Sequence, residues 1–345
     1  MVESKRRSPT PTASPRARDA DTMQAVVYSR YGGPEVLSFA SVARPTPGDD
    51  EVLIRVVAAS VNAGDWHLLR GTPFLVRLVY GGYRAPNHPV LGSDVAGRVD
   101  AVGRNVTDFQ PGDAVVCDLS GHGFGGFAEY VCVPETALVP KPPAVPFETA
   151  AAVPTAGVAA LQALRALGVR AGEHVLVNGA SGGVGTFAVQ VAKSMGAEVT
   201  ATCSTAKVET VRSLGADHVV DYTREDVATL DARYDRILDA AGSHSLREYG
   251  RVLAPGGSYV MVGGPTRRFL TTLLVGPLRS LVGRRRFETF VLHPDRDDLA
   301  RVLDLVASGD VDPVVDRRYS LSEVPDAIRY LEAGRATGKV VVGVA

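Results

Sequence analysis

The run Val175-Leu176-Val177-Asn178-Gly179-Ala180-Ser181-Gly182-Gly183-Val184-Gly185 constrains the fold of this 345-residue chain more than any other stretch. The apolar strand Val175 to Val177 enters a glycine turn. Phe187, Val189, Val191 and Ala192 then recur at helical spacing until Gly196. A second strand, Glu198 to Thr202, follows. Glycines let a pyrophosphate approach the backbone, and the helix N-terminus adds free N–H groups and a positive dipole. The strand, turn, helix and strand in this order separate a dinucleotide fingerprint from an ordinary glycine-rich turn. Ala180 takes the place of the first glycine, while Gly182 and Gly185 hold the second and third. The turn residues Ala180, Ser181, Gly182, Gly183 and Val184 are the expected phosphate contacts.

Helical and strand patterns alternate through the strand Ser258 to Val262, which predicts an α/β fold with a doubly wound parallel sheet. Residues 23–145 differ. Short apolar runs between Gly/Pro turns predict a compact barrel-like β domain, with 71–89 (Phe74, Tyr80, Tyr83 and His88) as a long loop or lid. Residues 1–22 are rich in Ser, Pro, Arg and Thr and are expected to be a disordered leader. Glu3, Asp19 and Asp21 and the missing apolar segment argue against a targeting peptide. The expected domains are 23–145, 146–280 for the nucleotide unit, and 281–345 returning to the first.

A formal charge of −1 gives no bulk attraction to nucleic acid or membrane. No apolar run is long enough to span a bilayer. Cys117, Cys132 and Cys203 are isolated, which points to free thiols in a reducing compartment, the cytoplasm. The cluster Arg284-Arg285-Arg286 reads as a solvated loop.

The strand after the turn runs into Thr202-Cys203-Ser204-Thr205-Ala206-Lys207, without the acid that NAD sites use for the ribose 2′-OH. Hydroxyls and a lysine suit a 2′-phosphate, so NADPH is the expected cofactor. Gly263 and Gly264, after the strand Ser258 to Val262, let backbone approach the nicotinamide ribose.

The segments SVNAGDWHLLRG (60–71), PVLGSDVAGRVDAVG (89–103), GGFAEYVCVP (125–134), NGASGGVG (178–185), LGADHVVDY (214–222) and ATGKVVVGV (336–344) together resemble the medium-chain dehydrogenase/reductase superfamily, and within it the zinc-free quinone oxidoreductases. The resemblance implies a GroES-like β-rich catalytic domain, split in sequence around a Rossmann domain, with the active site between them. Zinc-bearing relatives use a Cys-x-x-Asp and a Gly-His-Glu stretch, where this chain has Asn62-Ala63-Gly64-Asp65 and Gly92-Ser93-Asp94. Asn and Ser are poor zinc ligands, so no metal is expected.

By the same resemblance Asn62, Asp65 and His67 lie at the nicotinamide end, with Asn62 donating to a carbonyl or ribose and His67 relaying a proton. Arg70, Tyr80 and Tyr83 are looser pocket candidates. Thr155 matches the position that touches the carboxamide. Ser204, Lys207 and Tyr222 match the residues that hold the 2′-phosphate, and Lys339 matches a terminal motif near the cofactor. Without zinc to stabilise an alkoxide, hydride transfer to a quinone or an α,β-unsaturated carbonyl is favoured. Two alternatives stay open: an alcohol dehydrogenase or carbonyl reductase of a biosynthetic pathway, and a non-catalytic NADPH-binding protein of crystallin type. A homodimer is implied, through an edge strand at Ser258 to Val262 and the apolar segment Phe269 to Leu281.

Overall fold

The computed structural model describes residues 21–79, 82–282 and 284–344. Most of the expected leader and Tyr80 lie outside the described residues. The last two leader residues are ordered: Arg44 N donates to Asp21 O, and Thr22 opposes Ala43 in a two-stranded ribbon of Thr22–Val27 and Ser38–Ala43.

Among the described residues the parallel sheet has six strands. Their spatial order is His218–Asp221, Glu198–Cys203, His174–Asn178, Tyr234–Asp239, Leu253–Met261 and Arg286–Thr289. Numbered along the chain this is 3-2-1-4-5-6, the dinucleotide-binding order, with its switch point between His174–Asn178 and Tyr234–Asp239. Crossover helices cover the sheet. Helix Pro154–Leu167 starts with proline at its first turn and ends at Gly168 with φ +69°, a left-handed stop that glycine adopts without strain.

Two expectations are corrected. The sixth strand, Arg286–Thr289, pairs in parallel with Leu253–Met261, so Ser258 to Val262 is interior and the edge lies one strand further out. The nucleotide unit therefore continues past 280. Helix Arg296–Ser308 also belongs to it, burying Leu299, Val302 and Leu303 in the cluster that holds Leu161, Leu164 and Phe187. The return to the first domain begins near Val315.

That domain is a second sheet of seven strands among the described residues. The order is Val315–Ser320, Lys339–Gly343, Glu51–Val61, Asp94–Val102, Ala114–Asp118 and Val139–Pro140, with Tyr130–Pro134 also on Glu51–Val61. The C-terminal strand Lys339–Gly343 pairs antiparallel with the end of Glu51–Val61, where Val340 opposes Val61. This pairing sets Lys339 beside Asn62. One apolar cluster joins Ala58, Ala96 and Val116 of this sheet to helix Pro154–Leu167 and the parallel sheet, so the two halves share a core.

Candidate active site

A cleft of about 340 Å³ opens where the two sheets meet. One wall is Val61 to Gly64. The other is Thr155, the glycine turn and Gly263, and Lys339 closes the end. The glycine turn is built for close approach. A Cβ on Gly185 would lie 2.2 Å from Gly179 O, so no side chain fits there. Gly182, by contrast, is open, with the nearest atom to such a Cβ at 3.5 Å. Gly182 also precedes helix Gly183–Ser194 without a capping side chain, which leaves that helix's first N–H groups free toward the cleft.

The strand ends beside the turn are locked by buried polar groups. Asn178 Nδ2 is 2.7 Å from Asp239 Oδ1 and 2.8 Å from Tyr249 Oη, and Tyr259 Oη donates to Asp239 Oδ2 at 2.8 Å. A fully satisfied network of this kind holds the switch point in one arrangement.

The chemistry converges on Asp94, which is fully buried. Its Oδ2 accepts from Ser60 Oγ (2.8 Å), Asn62 Nδ2 (2.8 Å) and Lys339 Nζ (3.2 Å). Its Oδ1 accepts from Thr155 N (3.1 Å) and Thr155 Oγ1 (2.6 Å). Lys339, only 3% exposed, also donates to Asn62 Oδ1 at 2.5 Å. Asn62 gives its remaining amide hydrogen to Ser93 Oγ at 3.1 Å. Both ends of the Asn62 amide are thus occupied. It serves as a brace between Asp94 and Lys339, in place of the free donor expected from the sequence.

Asp65 is also repositioned relative to expectation. Its carboxylate is 1% exposed and accepts from Asn62 N (2.7 Å) and Gly92 N (3.1 Å), so it ties two loops together behind the cleft. Burial, reinforced by the Asp94 charge, pushes its pKa up to about 7. Asp118 stands across the ladder from Asp94, and its Oδ2 has no partner among the described residues. Burial and then the Asp94 charge raise it to about 6. One ammonium therefore serves three buried carboxyl groups.

His67 does not line the cleft. Its Nδ1 is 2.8 Å from Thr72 O, its ring stacks on Trp66 at 3.6 Å, and burial lowers its pKa. Arg70 pairs with Glu332, and Tyr83 packs edge-on against Phe74; neither is on the cleft wall.

At the other end of the parallel-sheet crevice, Tyr222 N donates to Cys203 O at 3.0 Å, which brings Ser204 and Tyr222 to neighbouring strand ends. Lys207 donates to Ala336 O at 2.7 Å, and burial lowers its pKa. The nearby Asp221 is turned to the hydroxyls of Thr205 (2.6 Å) and Thr223 (2.7 Å). Ala180 is buried, and Ser181 O accepts from Gly338 N at 2.9 Å, so the turn is stitched to the C-terminal strand.

Asp94, the hub of these hydrogen bonds, is the residue at the cleft's end that the sequence did not single out. Its signal was the acid that ends the Gly92-Ser93-Asp94 segment. Among the described residues no three His, Cys, Asp or Glu side chains converge on a metal position.

Two family profiles match the chain: an alcohol dehydrogenase GroES-like domain over residues 48–143 and a zinc-binding dehydrogenase over residues 214–342. The chain is 35% identical to a chloroplastic quinone-oxidoreductase of Triphysaria versicolor over 93% of its own length and 98% of the relative's. It is 38% identical to a chloroplastic NADPH-dependent alkenal/one oxidoreductase of Arabidopsis thaliana, over 93% and 79%. The solved quinone oxidoreductase of Coxiella burnetii superposes with a TM-score of 0.84 at 29% identity, over 94% of this chain and all of the other. With the dinucleotide-binding sheet, the β-rich partner domain and the cleft between them, these likenesses show that the chain is an oxidoreductase of the medium-chain dehydrogenase/reductase superfamily, in its quinone oxidoreductase-like branch.

Proposed function

We propose that the protein is an NADPH-dependent reductase of quinones or α,β-unsaturated carbonyl compounds that works without a catalytic zinc. The observation that carries this reading is the buried Lys339 ammonium, braced by Asp94 and Asn62 at the end of the cleft. A divalent cation at the segments used by zinc-bearing relatives would meet an amide, a hydroxyl and a carboxylate already holding five hydrogen bonds, with a positive charge 3.2 Å from that carboxylate. Those groups do not make a zinc site.

Four features support NADPH. The glycine turn has room at Gly182, Thr155 is held by two hydrogen bonds, and Ser204, Lys207 and Tyr222 offer hydroxyls and a cation to a 2′-phosphate. Bound NADPH would supply the hydride. The chain's own groups would stabilise the negative charge that develops on the acceptor oxygen. Ala63 and Gly64, the first residues of helix Ala63–Arg70, line the cleft with N–H groups that lack an intrahelical partner. Together with the Lys339 ammonium they form the donor set that such an oxygen needs. Among the described residues Lys339 is the cation that lines the cleft, so this reading gives it the proton-donating role expected of His67.

The relative named an alkenal/one oxidoreductase, and the relatives named quinone oxidoreductases, support the acceptor class. The test is NADPH oxidation over a panel of quinones, enones and saturated ketones, with and without a chelator. Turnover of conjugated acceptors, indifferent to the chelator, is expected. Turnover confined to alcohols, or restored only by zinc, would reject the reading.

A further inference from the structure

Strand Ala114–Asp118 pairs antiparallel with Asp94–Val102, and its last residue, Asp118, stands directly opposite Asp94. Residues opposed in such a ladder point to the same face, with Cβ atoms roughly 5 Å apart. At that spacing a proton passes between two carboxyl groups directly or through one water. Ser60 opposes Asp94 from the other side, so Ser60, Asp94 and Asp118 form one buried row across three strands. Two carboxylates side by side repel unless one of them holds a proton. Asp118 Oδ1 accepts from Ser120 N at 2.8 Å, while its Oδ2 is buried without a hydrogen-bond partner among the described residues. An unmatched buried atom of this kind costs stability and calls for a reason.

Lys339 supplies that reason. A proton donor must recover its proton after each turnover. Lys339 is buried, and its one open side is the cleft, which cofactor and acceptor fill during the reaction. Away from the cleft its ammonium touches Asn62 Oδ1 and Asp94 Oδ2. Of these two, only the carboxylate readily takes up and releases a proton. Beyond Asp94 stands Asp118, followed by Ser120, Gly121 and His122; the last two are exposed, and none of the three lines the cleft. Lys339, Asp94 and Asp118 therefore lead from the cleft to a surface loop outside it. The charged groups facing Asp118 are Asp94 and Lys339. The helices packed on its strand, Phe147–Ala151 and Pro154–Leu167, carry Glu148 and Arg165, which pair with Arg318 and Asp298. The neighbouring strand Val139–Pro140 carries no ionisable side chain.

We propose that Asp118 is the proton reserve of Lys339: it passes a proton through Asp94 to the lysine amine and refills from solvent at the Ser120–His122 loop. The proposal rests on the reading above, in which Lys339 protonates the acceptor. Once hydride has reached the β-carbon of an enone, the enolate takes a proton from Lys339, which breaks an N–H bond and leaves a neutral amine. The amine lone pair then takes a proton from Asp94, whose carboxylate has received one from the Asp118 O–H. Asp118 stays ionised until solvent returns the proton, and no electrons move in these transfers. Burial, reinforced by the Asp94 charge, raises the Asp118 carboxyl to about 6, near the pH at which a group both holds and gives up a proton. Asp118 touches no substrate and acts through Lys339.

The test compares the wild type with Asp118→Asn, following NADPH absorbance by stopped flow with an enone that the wild type reduces. The amide oxygen keeps the contact to Ser120 N, so the variant should fold, and its melting temperature checks this. Its slowing should appear only after the first turnover, because Lys339 already holds the proton used then. Steady-state kcat should fall roughly a hundredfold, the lower end for a lost acid–base group, while kcat/KM stays near the wild-type value. The solvent isotope effect on kcat should exceed that of the wild type. Distortion of the cleft would instead slow the first turnover and lower kcat/KM together. That result, or steady-state turnover at the wild-type rate, would overturn the proposal alone. If the wild type reduces no quinone or enone, the functional reading fails and the proposal falls with it.

Discussion

Replacing Lys339 with methionine tests how the site is held together. The side chain keeps its bulk and loses its charge. Asp94 then faces Asp118 and Asp65 with no cation among them. Removing one member of a buried pair costs about 3–5 kcal/mol. Asp94 keeps four other hydrogen bonds, from Ser60, Asn62 and both donors of Thr155, so the cost should fall near 3 kcal/mol, the lower end of that range. The pH dependence is the sharper signature. Lys339 holds down the pKa of both Asp65 and Asp118. In its absence these raised values climb further, and the folded chain takes up protons that the unfolded chain has released. Stability lost to the variant should therefore be larger at pH 8 than at pH 5, where the carboxyl groups are largely protonated. Urea midpoints and melting temperatures at the two pH values measure this. The double variant with Asp94→Asn should be less destabilised than the sum of the single variants by about 2 kcal/mol, the scale expected for contacting charges. Additive effects, or a loss equal at both pH values, would refute the reasoning.

Three further outcomes are expected. Burial raises the folded Asp118 carboxyl to about 6 against 3.8 unfolded, so an ionisation cost on the order of 3 kcal/mol is absent below pH 4, builds up between about pH 4 and pH 6 and is complete above it; Asp118→Asn should raise the melting temperature at pH 8 and leave it nearly unchanged at pH 4. Ser204→Asp places an acid after the strand Glu198–Cys203 and should weaken NADPH roughly tenfold or more while sparing NADH, a change on the scale of a lost charge-assisted hydrogen bond. Gly185→Ala forces a methyl group against Gly179 O and should cost about 1–3 kcal/mol and abolish NADPH binding, followed by thermal melting and cofactor fluorescence.

Legibility from sequence followed the range of the interactions. The strand, glycine turn and helix at 175–196 were readable because each signal is local. The two-domain organisation was readable from the change in hydrophobic period near Pro146. The strand Arg286–Thr289 was not assigned to the parallel sheet, because an apolar run shows a strand without showing which sheet it joins, and its partner lies across helix Thr266–Val282. The Asp94 hub draws on Ser60, Asn62, Thr155 and Lys339, of which Asn62 and Lys339 alone are 277 residues apart along the chain, and no spacing rule reaches that far. His67 was read from its position in a motif, but a single hydrogen bond to Thr72 O turns its ring away from the cleft. The segment Phe269 to Leu281 was legible as apolar, and not as a helix whose leucines face solvent.

The central claim is that hydride goes to a conjugated acceptor, and isotope transfer tests it most directly. The protein is incubated with NADPH deuterated at the transferred position and an α,β-unsaturated ketone, and the product is read by NMR. The account predicts deuterium on the β-carbon of a saturated ketone, formed with the chelator present. Deuterium on the carbonyl carbon of an allylic alcohol would contradict it.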